Sequence, residues 1–202
     1  AVTGVVTVNG TLDYETAPSH NITIRASSSD GSFSTLIVTI NLTDANEAGI
    51  GPISDTNAAA NAVSENAAVG TVVGITAFAS DADATTNAIT YSLDDSAGGR
   101  FAINATTGVV TVAGAIDRET AASHNVTVRA TSADGSFSTQ TFTINVNDVD
   151  EFDVSTPVDT DGTSGGNVDE QSAVGTAVGI TVHASDADAT NNTVTYSLSD
   201  DA

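Results

Sequence analysis

Apolar and polar positions alternate with period two along much of the chain. Ile75-Thr-Ala-Phe-Ala79, Ile89-Thr-Tyr-Ser-Leu93 and Val126-Thr-Val-Arg-Ala130 carry this alternation, the mark of strands with one buried face. The phase predicts that Ile75, Ala77, Ala79, Ile89, Tyr91 and Leu93 point inward. Further strand segments fall near 61–65, 100–104, 108–113 and 137–147, separated by Gly, Asn and Asp turns. About seven strands in roughly 100 residues is the arithmetic of a β-sandwich. Helical periodicity is absent, so the expectation is an all-β chain.

The pattern is itself repeated. Gly4-Val-Val-Thr-Val8 recurs as Gly108-Val-Val-Thr-Val112, Asp13-Tyr-Glu15 as Asp117-Arg-Glu119, and Asp30-Gly-Ser-Phe-Ser34 as Asp134-Gly-Ser-Phe-Ser138, each 104 residues on. A second series is offset by 105. It joins Ser64-Glu65-Asn66 to Asp169-Glu170-Gln171, Asp81-Ala-Asp83 to Asp186-Ala-Asp188, and Tyr91-Ser-Leu93 to Tyr196-Ser-Leu198, which predicts one additional residue in the second linker. The expected organisation is the closing half of one repeat over 1–47, a whole repeat over 48–151 and the opening half of a third over 152–202.

Composition adds a constraint. The 26 Asp and Glu residues face four Arg and no Lys, a formal charge of −22. Such a surface repels nucleic acid and anionic membranes, and its carboxylates need cations to lie close together. With 40% hydrophobic residues the chain still has enough to bury. It has no Cys, so disulfides cannot stiffen it. Neither a charged-then-apolar leader nor a run of about 18 apolar residues is present, so the segment reads as internal, with no membrane insertion.

The acids gather at strand ends and linkers, while strand interiors are Val, Ile, Thr and Ala. Asp-x-Asp after a strand turns both carboxylates to one side, where they can share a hard cation, and the scarcity of soft ligands argues against zinc, copper and iron. Val63-Ser-Glu65-Asn66 with Gly70-Thr71, Ala79-Ser-Asp81-Ala-Asp83, Ile116-Asp-Arg-Glu119 and Asp44-Ala-Asn-Glu47 follow one another in constant phase. In this order the chain resembles cadherin repeats of the bacterial cadherin-like type found in giant repetitive surface adhesins.

The resemblance implies tandem Greek-key seven-stranded sandwiches, immunoglobulin-like in shape, with several calcium ions between repeats. At the second junction it points to Glu65, Asp117, Glu119, Asp150, Glu151, Asp186, Asp188 and the Asn192 carbonyl. At the first it points to Asp13, Glu15, Asn46, Glu47, Asp81, Asp83 and the Asn87 carbonyl, the upstream Glu being expected before residue 1. Two departures stand out. The family's Asp two residues after Ala130 is Ser132 here, and Asp134 comes two residues late, so either the loop bends to bring Asp134 to the metal or one ion is absent. The second linker has Asp150 where the first has Asn46.

Other features read as ordinary. The glycine- and acid-rich stretch 159–169 lacks EF-hand spacing and reads as a linker. His20, His124 and His183 read as strand residues, and Asn104-Ala-Thr106 and similar triplets as composition. No nucleophile meets a base, and nine aromatics cannot line a sugar cleft, so no enzyme is expected. The expected role is a secreted or cell-surface stalk that calcium stiffens. Neighbouring repeats are its partners, with a surface polysaccharide or like chains as alternatives. The half repeats at the two ends are expected to complement one another between molecules, head to tail.

Overall fold

The structure is a computed structural model that describes residues 3–162 and 166–200. Residues 163–165, inside the stretch expected to be a linker, lie outside the described residues. Among the described residues every regular element is a strand.

The first unit is an antiparallel hairpin of β1 (Ser19–Ser27) and β2 (Phe33–Asn41). The middle repeat holds β3 (Ser54–Asp55), β4 (Ala62–Ser64), β5 (Val72–Phe78), β6 (Ile89–Asp95), β7 (Phe101–Ile103), β8 (Val109–Val112), β9 (Ser123–Ser132) and β10 (Phe137–Asn147). The third unit pairs β11 (Val158–Asp159) with β12 (Val182–His183). In the middle repeat one sheet runs β4-β10-β9-β6 and the other β3-β5-β8-β7. The seven expected strands are present. The extra element is β3, which pairs antiparallel with β5, whereas β4 crosses to the other sheet and pairs parallel with β10.

The turn between β9 and β10 shows why these residues form a hairpin. Gly135 takes φ +92°, open to glycine, and Asp134 accepts hydrogen bonds from Ser136 N and Oγ at 2.7 Å each. Asp30 accepts in the same way from Ser32 in the β1–β2 turn.

Between the sheets lies a core of β-branched side chains. Val73, Ile75, Val110, Val112, Val126 and Ile144 pack in one cluster, and Ala77, Ala79, Tyr91, Val128 and Ala130 in a second. Burying each Val or Ile contributes about 1.5–3 kcal/mol. Of the six residues expected to point inward, Ile75, Ala77, Ala79 and Tyr91 are buried, while Ile89 and Leu93 are half-buried against the core. Tyr91 Oη accepts from Ala79 N at 3.1 Å, tying one sheet to the other. Gly74 is buried in the opposite phase because the Ala60 carbonyl approaches it. A Cβ there would lie 2.2 Å from that oxygen, and the pairing of β5 with β8 shifts register at this place.

The repeat offsets locate the additional residue differently from the expectation. β11 matches β3 at 104, and Asp159 accepts from Thr181 N (3.1 Å) as Asp55 does from Thr76 N (3.0 Å). β12 matches β5 at 105. The extra residue therefore lies beyond Asp159 and not in the linker after Asp148. The β11–β12 pairing constrains the chain up to Asp159.

Candidate metal centres

Sandwich poles expose strand ends, and here the strand ends carry acids. Three groups of carboxylates form, each with ligand atoms within 4.8 Å of one another: Glu15, Asp44 and Glu47; Asp81, Asp83 and Asp134; and Glu65, Glu119 and Asp148. The first two belong to the junction between the first unit and the middle repeat, the third to the pole facing the third unit.

Backbone amides hold these acids across each junction. At the first, Ala84 N donates to Glu15 Oε1 (3.0 Å), Glu47 N and Ala48 N donate to Asp83 Oδ1 (3.3 Å each), and the Thr85 hydroxyl donates to Asp44. At the second, Ala189 N donates to Glu119 Oε1 (2.8 Å), Glu151 N and Phe152 N donate to Asp188 Oδ1 (3.2 and 3.4 Å), and the Thr190 hydroxyl donates to Asp148. Asn87 and Asn192 donate from Nδ2 to the Asp83 and Asp188 carbonyls (2.7 and 2.9 Å). Each Asp-x-Asp is closed by its own amide, Asp83 N to Asp81 Oδ1 and Asp188 N to Asp186 Oδ1, both 3.2 Å.

Glu65 is 3% exposed and accepts from two amides, Val149 N at Oε1 and Arg118 N at Oε2, both 2.7 Å. It thereby pins the start of the linker to the loop bearing Glu119. Glu119 is raised above the usual carboxylate range by desolvation, with Glu65 and Asp148 adding like charge. Glu151 is pushed up to about 7 by desolvation and the charges of Glu65, Glu119, Asp188 and Asp148. Glu47 is raised by desolvation, then by Glu15 and Asp83. Asp150 is raised by sharing a hydrogen bond with Asp188 and by the Asp188 and Asp186 charges.

The loop brings the late aspartate beside the Asp-x-Asp pair. Asp134 joins Asp81 and Asp83, accepting from Asn46 Nδ2 at 3.2 Å, while the buried Ser132 hydroxyl donates to Asp81 and to the Thr86 carbonyl. Asp13 and Asp117 lie outside the three groups. Their carboxylates accept from Thr16 and Thr120 respectively, which lowers both below the usual range.

Two members of these groups, Asp44 and Asp148, are absent from the sequence-derived ligand set. Their equivalence at an offset of 104, ahead of each linker Glu, was the available signal. The groups also leave polar atoms unsatisfied. Asp44 Oδ1, Asp83 Oδ2 and Asp148 Oδ1 are buried without a hydrogen-bond partner, and Asp83 is only 2% exposed. A buried carboxylate oxygen with no donor is costly. An all-oxygen set crowded with like charge suits a hard divalent cation, calcium above all.

Paired Greek-key sheets with acidic poles define a cadherin-like fold. Residues 60–147 match the family model of the cadherin domain. The protocadherin-like wing polarity protein stan of Drosophila melanogaster is 34% identical over 205 residues, 98% of this chain and 6% of that protein. Protocadherin Fat 2 of Rattus norvegicus is 44% identical over 136 residues, 65% of this chain and 3% of that protein. The solved structure of mouse cadherin-23 EC22–24 superposes with a TM-score of 0.68 at 32% identity, covering 89% of this chain and 57% of that one. The chain thus spans a small fraction of these curated relatives. Cadherin domains are extracellular adhesion-type modules, which places the segment in a secreted or cell-surface protein. No helix among the described residues is long and apolar enough to cross a membrane.

Proposed function

We propose that the chain is a run of calcium-stiffened extender repeats, divided at 1–47, 48–151 and 152–202, which holds a distal adhesive domain away from a cell surface. The observation that carries this reading is the set of buried, unpartnered oxygens of Asp44, Asp83 and Asp148 beside hydrogen bonds that already cross both junctions. Glu15, Asp44, Glu47, Asp81, Asp83, Asn46 and Asp134 hold calcium at the first junction. Glu65, Glu119, Asp148, Asp150, Glu151, Asp186 and Asp188 hold it at the second. Calcium, when bound, supplies the positive charge that lets these carboxylates remain ionised side by side. The amides of 47, 48, 84, 151, 152 and 189 then orient the carboxylates, and the linkers lose their freedom to hinge.

The bacterial surface-adhesin setting is part of the proposal. It is supported by the absence of Lys and Cys, the charge of −22 and the close internal repeats, while the reported relatives are animal proteins. A polysaccharide-binding role finds less support. Phe33 and Phe137, exposed aromatics on equivalent strands, each carry an Arg guanidinium over one face, at 3.9 and 4.0 Å. Homophilic adhesion is compatible with the fold family.

Calorimetric titration with calcium and magnesium, paired with small-angle scattering, tests the reading. Calcium binding with lengthening of the particle is expected, with magnesium unable to substitute because it demands near-octahedral geometry and sheds water reluctantly. Equal maximum dimensions in calcium, magnesium and chelator would refute it.

A further inference from the structure

We propose that His124 is an acid-sensitive latch, an imidazole packed neutral against Phe101 that releases the edge strand β7 from the middle repeat when it takes up a proton. The latch lies inside the sandwich and does not rest on the extender reading.

His124 stands on β9 two residues before Val126, in the inward phase of Val126, Val128 and Ala130. It is opposite Ile144 of β10, and its ring meets that of Phe101 edge-on, with centroids 5.9 Å apart and an interplanar angle of 60°. Phe101 opens β7 and is 2% exposed. The imidazole is thus a contact by which a strand of one sheet reaches the edge strand of the other. Its Nε2 is buried and has no hydrogen-bond partner. His20, 104 residues earlier, has its Nε2 in the same state.

A neutral imidazole bears this at the cost of one unpaired nitrogen. In the imidazolium both nitrogens are donors, so protonation leaves a charged N–H without an acceptor where water does not reach. No carboxylate is placed to answer that charge. β4, β7, β8 and β10 carry no titratable side chain. On β6, Asp94 is paired with Arg129 of β9, and Asp95 accepts from Ala97 N. The loop before β9 carries Asp117, Arg118 and Glu119, of which Asp117 is engaged by Thr120 and Glu119 by Ala189 N. Glu65, beyond β4, accepts from Arg118 N and Val149 N. The charge that does act on the ring is that of Arg100, whose guanidinium donates to the Ala97 carbonyl at 2.9 Å, and its sign is that of an imidazolium. Burial first, and Arg100 second, hold His124 below the ordinary 6.5.

The unfolded chain therefore takes up this proton at higher pH than the folded one. Stability from the neutral ring is complete above 6.5 and is lost as pH falls below it. The raised carboxylates at the junctions act with the opposite sign. Within the sandwich β7 is the element least able to resist, being three residues long and paired with β8 alone. Displacing a charged ring from Phe101 frees this strand and opens the cluster of Val110 and Val112 that Phe101 helps to close.

A nuclear magnetic resonance titration of the His124 ring in the whole chain, from about pH 8 to about pH 5, reads the group directly. It should titrate below 6.5, and a value at or above 6.5 would overturn the latch. Over the same range the amides of Phe101–Ile103 should lose hydrogen-exchange protection ahead of those of β5. His124→Phe should abolish that early loss, since a phenyl ring keeps the packing against Phe101 and cannot charge. Comparing the two chains cancels the junction carboxylates, which both carry. Arg100→Gln removes the like charge without altering the core, and it should lessen the acid loss. Equal loss from β5 and β7 in the unaltered chain, or an early loss at β7 that persists in His124→Phe, would overturn the proposal.

Discussion

The two junctions share a hydrogen-bond scaffold and differ in charge. Ala84 N to Glu15, Thr85 to Asp44 and the paired amides to Asp83 recur as Ala189 N to Glu119, Thr190 to Asp148 and the paired amides to Asp188. Yet Asn46 donates to Asp134, an amide relieving a carboxylate, whereas its counterpart Asp150 is set against Asp188 and is raised. Phe152 and Asp153 replace Ala48 and Gly49, and Asp153 adds to the load on Asp150. The hydrogen-bond pattern thus recurs from junction to junction, while the charge of the side chains it holds differs.

Removing calcium should produce the largest effect, and it should act on both junctions. Each site loses roughly 2.7 kcal/mol if calcium had been at about 100 times its dissociation constant. The melting temperature should fall and the maximum dimension in small-angle scattering should shorten. Unchanged values in both measurements would leave nothing for the comparison to explain.

Glu65→Ala should come next and should break the symmetry, because only the second junction depends on this buried side chain. Two amides, of Arg118 and Val149, lose their acceptor, at about 1–3 kcal/mol for each buried donor left unpaired. Thermal denaturation should show the loss in the middle repeat, and calorimetry should show that calcium sites at the first junction survive. Glu119→Ala, at the exposed rim, should loosen the same junction while the β-sheet circular dichroism stays intact. Loss of that signal in saturating calcium would make Glu119 a folding residue instead.

Exchanging the linker residues should sharpen the comparison by a smaller step. Calcium affinity rises with ligand charge, so Asp150→Asn should weaken the second junction and Asn46→Asp should strengthen the first. A change of about tenfold, or about 1.4 kcal/mol, is expected for each. Two transitions in the calcium titration should approach one another, and diverging transitions would show that charge does not set the difference.

The smallest effect is that of pH. Glu151 titrates at about 7 in the folded chain against an ordinary 4.5. Between those values the folded form holds a proton that the unfolded form has lost, so calcium-free stability falls as pH rises through this window. Calcium must displace that proton, so its affinity at the second junction should fall as pH drops below about 7. Titrations in buffers of different ionisation enthalpy should reveal proton release near neutrality. Glu47 is raised too, so the first junction shares the sign.

Much of this was legible in the sequence, because period-two patterning and a phase-constant repeat act locally. The strands of the middle repeat and the inward side of Ile75 and Tyr91 followed from it, while the acids at the poles were named through the resemblance to cadherin repeats. The parts that did not follow depend on where backbone goes. The split of the first strand into β3 and β4 requires a crossing between sheets that no alternation encodes. Asp13 and Asp117, named through the resemblance, each accept from a threonine three residues on, a local turn that the resemblance does not describe. Asp44 and Asp148 enter their groups through hydroxyl donors across the junction, which only a fold brings near. The sequence left open whether Asp134 comes near Asp81 and Asp83, because that depends on the path of the loop through Gly135.

The parallel alignment of β4 with β10 has a consequence for load. Tension on an array enters each repeat through the chain before β4 and leaves through the chain after β10. Because the two strands run the same way, opposed pulls slide one along the other and strain their cross-links together, Asn145 N to the Asn61 carbonyl (2.9 Å) and Glu65 N to the Asn147 carbonyl (3.1 Å). An antiparallel pair pulled from one end would instead peel open bond by bond. Opposed pulls therefore load this short patch in shear, and it ends at Glu65, the residue that also grips the linker.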